Sequence, residues 1–235
     1  MTQTLNWIPL ESNPEVFNGW SSKAGLDIAN DSFNDLYSFD PDMLSRIPRP
    51  VKAVIFVFPY TEARYRRAAE DEQIAKEGGN KVDESVFWMG QTIRNACGAM
   101  AIVHSLANAP VTLAPASPLS DFYTSARPKP PLERSKLFAD IPEFATIHSS
   151  MTTVGQCVLP DIDDRCDQAY TAFVLSGKRV IELDGGRAGP VDCGQCEGEE
   201  DLLDAVVRIG KEIFIGKSGS IKFNMMYLGR PISED

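Results

Sequence analysis

At 235 residues the chain is long enough for one large α/β domain or two small ones, and an apolar content of 43% is ample for a sizeable core. Acidic residues outnumber basic ones by 33 to 23, a formal charge of −10, which argues against nucleic acid as a partner because phosphates demand a basic face. No stretch approaches the roughly 20 consecutive apolar residues of a membrane span, and Met1-Thr2-Gln3-Thr4 has neither part of a secretion signal. A soluble protein of the cytoplasm is therefore expected, with the nucleus also open and no membrane partner.

In chain order, Trp7-Ile8-Pro9-Leu10 reads as a short strand leading into a turn at Ser12-Asn13-Pro14. Asn13 is placed to cap a helix over 14–24, with Pro14 in its first turn. Residues 35–39 alternate as a half-buried strand does, and 41–47 form a short helix stopped by Pro48 and Pro50. The nearly unbroken apolar run 51–58, bounded by prolines, predicts a central strand buried on both faces. The charged segment 61–77 predicts a helix with a solvated face, ending at Gly78-Gly79.

Cys97 opens the next helix. Ala101, Ile102 and Leu106 recur at helical spacing behind it, so the thiol lies in the first turn of a buried helix. Unpaired N–H groups and the positive end of the helix dipole lie there, and both favour a thiolate. Gln91 is near enough in sequence to turn its side-chain amide toward the same point, the arrangement of an oxyanion hole for acyl transfer. The same cysteine would also serve as a small core residue, and local sequence leaves both readings open.

Beyond Ala109-Pro110 the segment 113–131 is rich in proline and serine, with helical potential over 119–126. A helix from Pro131 is expected to carry Leu132, Leu137 and Phe138 to the core, with a short successor over 141–150. No hydrophobic period persists over 149–168, which predicts a functional surface loop. Strands over 170–175 and 179–183 form a hairpin, 202–214 has the apolar spacing of an amphipathic helix, and 222–228 is a closing strand. One domain over 1–235 is the simplest account.

Five cysteines, an odd number, argue against a disulfide framework. Cys193-Gly194-Gln195-Cys196 is a C-x-x-C that would suit half a zinc site or a redox pair, and Cys157 and Cys166 would have to complete a four-ligand set. No metal and no cofactor are expected.

The run Asn95-Ala96-Cys97-Gly98, with Gln91 before it and His104-Ser105-Leu106-Ala107-Asn108 after it, resembles the active-site helix of the ubiquitin C-terminal hydrolases, a family of papain-like thiol hydrolases. Four further stretches fall in the family's order: Leu10-Glu11-Ser12-Asn13-Pro14, Pro50-Val51-Lys52-Ala53-Val54, Gly155-Gln156 and Glu182-Leu183-Asp184-Gly185. The resemblance thus spans essentially the whole chain. It implies a papain-like α/β (α+β) fold, helices around a mostly antiparallel sheet, with a knotted path. It also implies a monomeric enzyme without metal or cofactor that releases small adducts from the C-terminus of ubiquitin or a ubiquitin-like protein. The acidic charge suits ubiquitin's basic surface.

The resemblance also distributes roles. Cys97 is the nucleophile, Gln91 the oxyanion donor and Asp184 the carboxylate that orients a histidine base; without the family, Asp184-Gly185-Gly186 reads as turn chemistry. The loop over 149–168, with Gly155, Gln156 and Pro160, corresponds to the crossover loop above the active site. The base is missing. Its position falls at Ala169, and both histidines of the chain, His104 and His148, match non-catalytic family positions. Two explanations fit Ala169: a His→Ala replacement made in an otherwise active enzyme, or a natural protein that binds ubiquitin without cleaving it.

Overall fold

The computed structural model describes residues 5–155, 167–215 and 223–232. Its centre is β2 (Ala53–Pro59), buried at every position. Around it stand β1 (Ser32–Asp35), β3 (Gln168–Ser176), β4 (Arg179–Leu183), β5 (Val191–Gln195) and β6 (Asn224–Gly229). They form one sheet in the order β1-β6-β2-β3-β4-β5, and every pairing is antiparallel.

Alternation along β2 divides the core in two. Ala53, Ile55 and Val57 face a cluster containing Phe17, Trp20, Ile102, Phe122, Phe138 and Phe144. Val54, Phe56 and Phe58 face a second one with Leu202, Val206 and Tyr227. The first cluster is built by α1 (Pro14–Ala24), α4 (Cys97–Asn108), α5 (Pro118–Ala126), α6 (Pro131–Asp140) and α7 (Pro142–Met151). On the other face lie α2 (Pro41–Leu44), α3 (Tyr60–Lys76) and α8 (Leu202–Ile209), followed by a single wider turn over Gly210–Ile215. Asn13 caps α1 as expected, its Oδ1 accepting the Glu15 N–H at 2.8 Å.

Several elements depart from expectation. Residues 7–10 form no strand; the segment is tied instead by one bridge between Asn6 and Arg94. The strand expected over 35–39 lies earlier, because Phe33 is the residue that fills the core while Tyr37 stands 86% exposed. In α6, Phe138 is buried as expected but Leu132 is 61% exposed, and the other buried position is Ser135, whose hydroxyl donates to the Gly90 carbonyl at 2.7 Å. Strand β5 was not foreseen: it is an edge strand, half-buried up to its exposed last residue Gln195, and carries no apolar alternation. It contains Cys193, which with Cys196 is a free thiol. Among the described residues no group of three potential metal ligands comes together. The expected loop is shortened at both ends, since α7 runs to Met151 and β3 begins at Gln168. No described helix is long and apolar enough to cross a membrane.

Both histidines are structural. His104 is fully enclosed, its Nε2 lying 3.2 Å from the backbone N and O of Met89. His148 stacks on Trp7 with ring centroids 4.2 Å apart, and its Nε2–H donates to the Ile8 carbonyl at 2.7 Å. Burial pushes each imidazole down from 6.5 to about 4, so the folded protein holds both neutral. The sign follows. The unfolded chain binds these protons first, so the stability is complete above 6.5 and is lost as the pH falls toward about 4. Each ring accounts for about 3 kcal/mol at about 1.4 kcal/mol per pKa unit. The urea midpoint should therefore fall steeply between about pH 7 and about pH 4.5. His148→Phe, which keeps the stacking on Trp7, should show a visibly shallower fall.

Candidate active site

The site forms where the end of β3, the end of β4 and the start of α4 meet. Cys97 is the first residue of α4, and Ala96 at the cap position offers no side-chain hydrogen bond. The helix thus starts without a side-chain cap, and its positive end lies at the sulfur. Two features set the entry to this helix: Asn95 takes a left-handed φ of 62°, and its side-chain amide donates to Asn6 Oδ1 at 3.2 Å. Behind the thiol, Gly98 backs closely onto Leu10 and Phe17, which fixes the helix start against the N-terminal segment.

Gln91, Cys97, Ala169 and Asp184 line one open cavity of about 580 Å³, together with Gln168, Arg67 and Arg187. The four positions that the sequence pattern pointed to are thus brought together. Cys97 Sγ lies 3.8 Å from the Gln168 carbonyl, one residue before Ala169. Gln91 is held by its backbone, whose N–H donates to the Gly185 carbonyl at 2.7 Å. Its side-chain Nε2 donates to the Ile93 carbonyl at 3.0 Å. An amide nitrogen has two N–H donors, and this bond uses one of them. Neither His104 nor His148 lines the cavity. Of the loop positions, Gly155 packs against Glu11, whereas Gln156 and Pro160 lie outside the described residues.

Asp184 is buried, and its surroundings were not legible beforehand. Its Oδ1 accepts the Gly186 N–H at 2.6 Å, and its Oδ2 accepts from Arg67 at 2.6 Å. Its backbone carbonyl accepts the Trp88 indole N–H at 3.1 Å. Burial pushes this carboxyl above the ordinary range, against the pull of Arg67. Glu182 next to it behaves oppositely. Burial works against its charge, yet Arg67 at 2.8 Å and Arg187 at 3.1 Å hold its carboxyl below the ordinary range. Thr171 adds a hydroxyl donor at 3.0 Å. Arg187 continues the network to Asp71 at 2.8 Å.

Arg67 therefore corrects the reading of 61–77 as a solvated helix face, because its residue surface is only 6% exposed. A signal existed in the sequence. Glu182 interrupts the apolar strand Arg179-Val180-Ile181-Glu182-Leu183, and a carboxylate buried there needs a cation.

A thiol at a helix start shares one cavity with an amide side chain and a carboxylate at a strand end, on helices packed against an antiparallel sheet. The family model for ubiquitin carboxyl-terminal hydrolase, family 1, matches residues 7–214, and the chain belongs to that family of cysteine-type deubiquitinases. Ubiquitin carboxyl-terminal hydrolase 3 of Arabidopsis thaliana is 30% identical over 97% of this chain and 96% of its own length. The yeast ubiquitin carboxyl-terminal hydrolase YUH1 is 32% identical over 94% and 95%. Among solved structures, the Trichinella spiralis UCH37 catalytic domain bound to ubiquitin vinyl methyl ester superposes with a TM-score of 0.74 at 22% identity, covering 97% of this chain and 96% of that one.

The glycines after Asp184 give a direct test of the site's packing. A Cβ on Gly185 would lie 3.0 Å from the Gln91 backbone N and 3.2 Å from Met100 Cε, whereas one on Gly189 would meet nothing within 4 Å. Gly185→Ala should therefore destabilise by about 1–3 kcal/mol in urea denaturation, and Gly189→Ala by less than about 0.5 kcal/mol.

Proposed function

We propose that this protein recognises the C-terminal tail of ubiquitin, or of a ubiquitin-like protein, at the Cys97 cavity, and that Ala169 makes the chain as written catalytically silent. The observation that carries the reading is the convergence of Cys97, Gln91, Ala169 and Asp184 on one cavity that neither histidine lines. A thiol hydrolase needs a base to take the thiol proton and return it to the leaving group. With an imidazole at position 169, Cys97 would attack the terminal glycine carbonyl, Gln91 and the start of α4 would stabilise the oxyanion, and Asp184 would orient the base. Small adducts are the substrates this reading favours. The chain would act as a monomer.

Two origins remain for Ala169. A single His→Ala replacement accounts for the retention of Gln91, Cys97 and Asp184. A natural ubiquitin-binding protein is favoured by a different observation, the Arg67 guanidinium already seated on Asp184 at 2.6 Å.

Loss of the base disables proton transfer and leaves remote contacts intact. The chain should bind ubiquitin in calorimetry, more weakly as salt rises. Absence of binding to ubiquitin and to ubiquitin-like proteins at low salt would sink the partner assignment. Ala169→His should raise hydrolysis of a ubiquitin C-terminal amide by about a hundredfold or more, the ordinary worth of a general base. The same variant should cleave small adducts far faster than folded ubiquitin–ubiquitin conjugates; equal rates would mean that nothing over the cavity sorts leaving groups by size.

A further inference from the structure

Arg67 occupies ground that a triad needs. It projects from α3 onto the sheet face that carries Ala169, and its guanidinium lies 4.9 Å over the ring of Phe58. Phe58 is the cross-strand partner of Ala169. Alternation puts Ala169, Thr171 and Phe173 on this same face of β3, and it turns Glu182 and Asp184 the same way. A side chain longer than a methyl at position 169 would therefore project into the neighbourhood of the guanidinium.

The carboxylate such a side chain would seek is engaged. One Asp184 oxygen accepts from Arg67 and the other from the Gly186 N–H, each at 2.6 Å. A histidine base uses its aspartate in two ways: to fix the ring through Nδ1–H and to offset the charge of the imidazolium. A permanent cation already in contact with that aspartate weakens both, because two cations sharing one buried carboxylate repel. The arginine is itself anchored, since the same nitrogen that reaches Asp184 lies 2.8 Å from Glu182.

We propose that Arg67 is a positioning residue that holds Asp184 in a fixed ion pair, so that an imidazole restored at position 169 recovers activity without the help of that carboxylate. This deepens the hydrolase reading above and rests on it. In the Ala169→His protein, Asp184 would then be a spectator for as long as Arg67 remains. Replacing Arg67 by methionine would release Asp184 to the new imidazole, while Glu182 would keep Arg187 and Thr171 as partners.

The test is a double-mutant cycle in the Ala169→His background, reading kcat and KM on ubiquitin carrying a C-terminal coumarin amide. With Arg67 present, Asp184→Asn should lower kcat by less than about threefold, and with Arg67→Met by more than about tenfold. Arg67→Met alone should raise kcat by about tenfold and leave KM within about twofold, while Arg67→Lys, which keeps the charge, should give no gain. A loss of more than about tenfold from Asp184→Asn with Arg67 in place overturns the proposal, and that arm stands even if the methionine variant does not fold. Alkylation of Cys97 by iodoacetamide at about pH 6 reads the thiolate without ubiquitin. Faster alkylation with Arg67→Met but no turnover would uphold the Arg67 assignment and reject ubiquitin as substrate. Turnover by Ala169→His that is indifferent to Arg67 would do the reverse.

Discussion

The buried ion cluster of Arg67, Glu182, Asp184 and Arg187 is the constraint on which the site depends. Helix α3 carries no apolar stripe along most of its length, so it cannot be seated by hydrophobic burial in the way α4 and α8 are. What seats it is charge: Arg67 on two carboxylates of the β4 end, and Asp71 with Glu70 on Arg187. A backbone tie reinforces its start, where the Asp167 carboxylate accepts the Thr61 N–H at 2.9 Å and the Asp167 carbonyl accepts the Tyr60 N–H at 2.8 Å. The segment that leads into Ala169 is thereby fastened to the helix that supplies Arg67. Breaking one member of a buried pair costs about 3–5 kcal/mol, far more than a surface pair.

The other half of the site is seated by ordinary packing. Helix α4 is almost wholly buried, and the glycine beside its cysteine allows it to approach Leu10 and Phe17. The Gln91–Gly185 backbone contact ties the turn that follows Asp184 to the segment that precedes the thiol. Cys97 and Gln91 are therefore positioned by main-chain and core contacts that do not involve position 169. This is why a methyl group there leaves both in register.

How much of this was legible depends on whether the determining contact is local. The unbroken apolar run of β2, the proline-bounded starts of α1 and α6, and the Cys97 helix announce themselves because period, cap and breaker all lie within a few residues. Leu132 misled because an apolar residue in the first turn of α6 says nothing of which face the helix buries; Ser135 and Phe138 decided it. Strand β5 was invisible because an edge strand needs only one neighbour and little burial. Arg67 was missed because its reason for burial, Glu182, lies more than a hundred residues away. Of the site, the residues that resemble the family's active-site residues could be named from sequence, but the residue now holding one of them could not.

The placing of β6 has a consequence for how the protein is made. Strand β2 is flanked by β3 on one side and β6 on the other, while β6 itself pairs with β1 at the sheet edge. As the chain leaves the ribosome, its most apolar strand must wait for partners that are synthesised more than a hundred residues later. The thiol helix and its aromatic neighbours can gather early, but the sheet on which they rest closes only when Asn224–Gly229 slots between two strands from the first quarter of the chain. Such late, long-range closure is slow and leaves apolar strand edges exposed meanwhile. A chain cut short before β6 would lose an interior strand of its sheet, and with it the link to β1, rather than a dispensable tail.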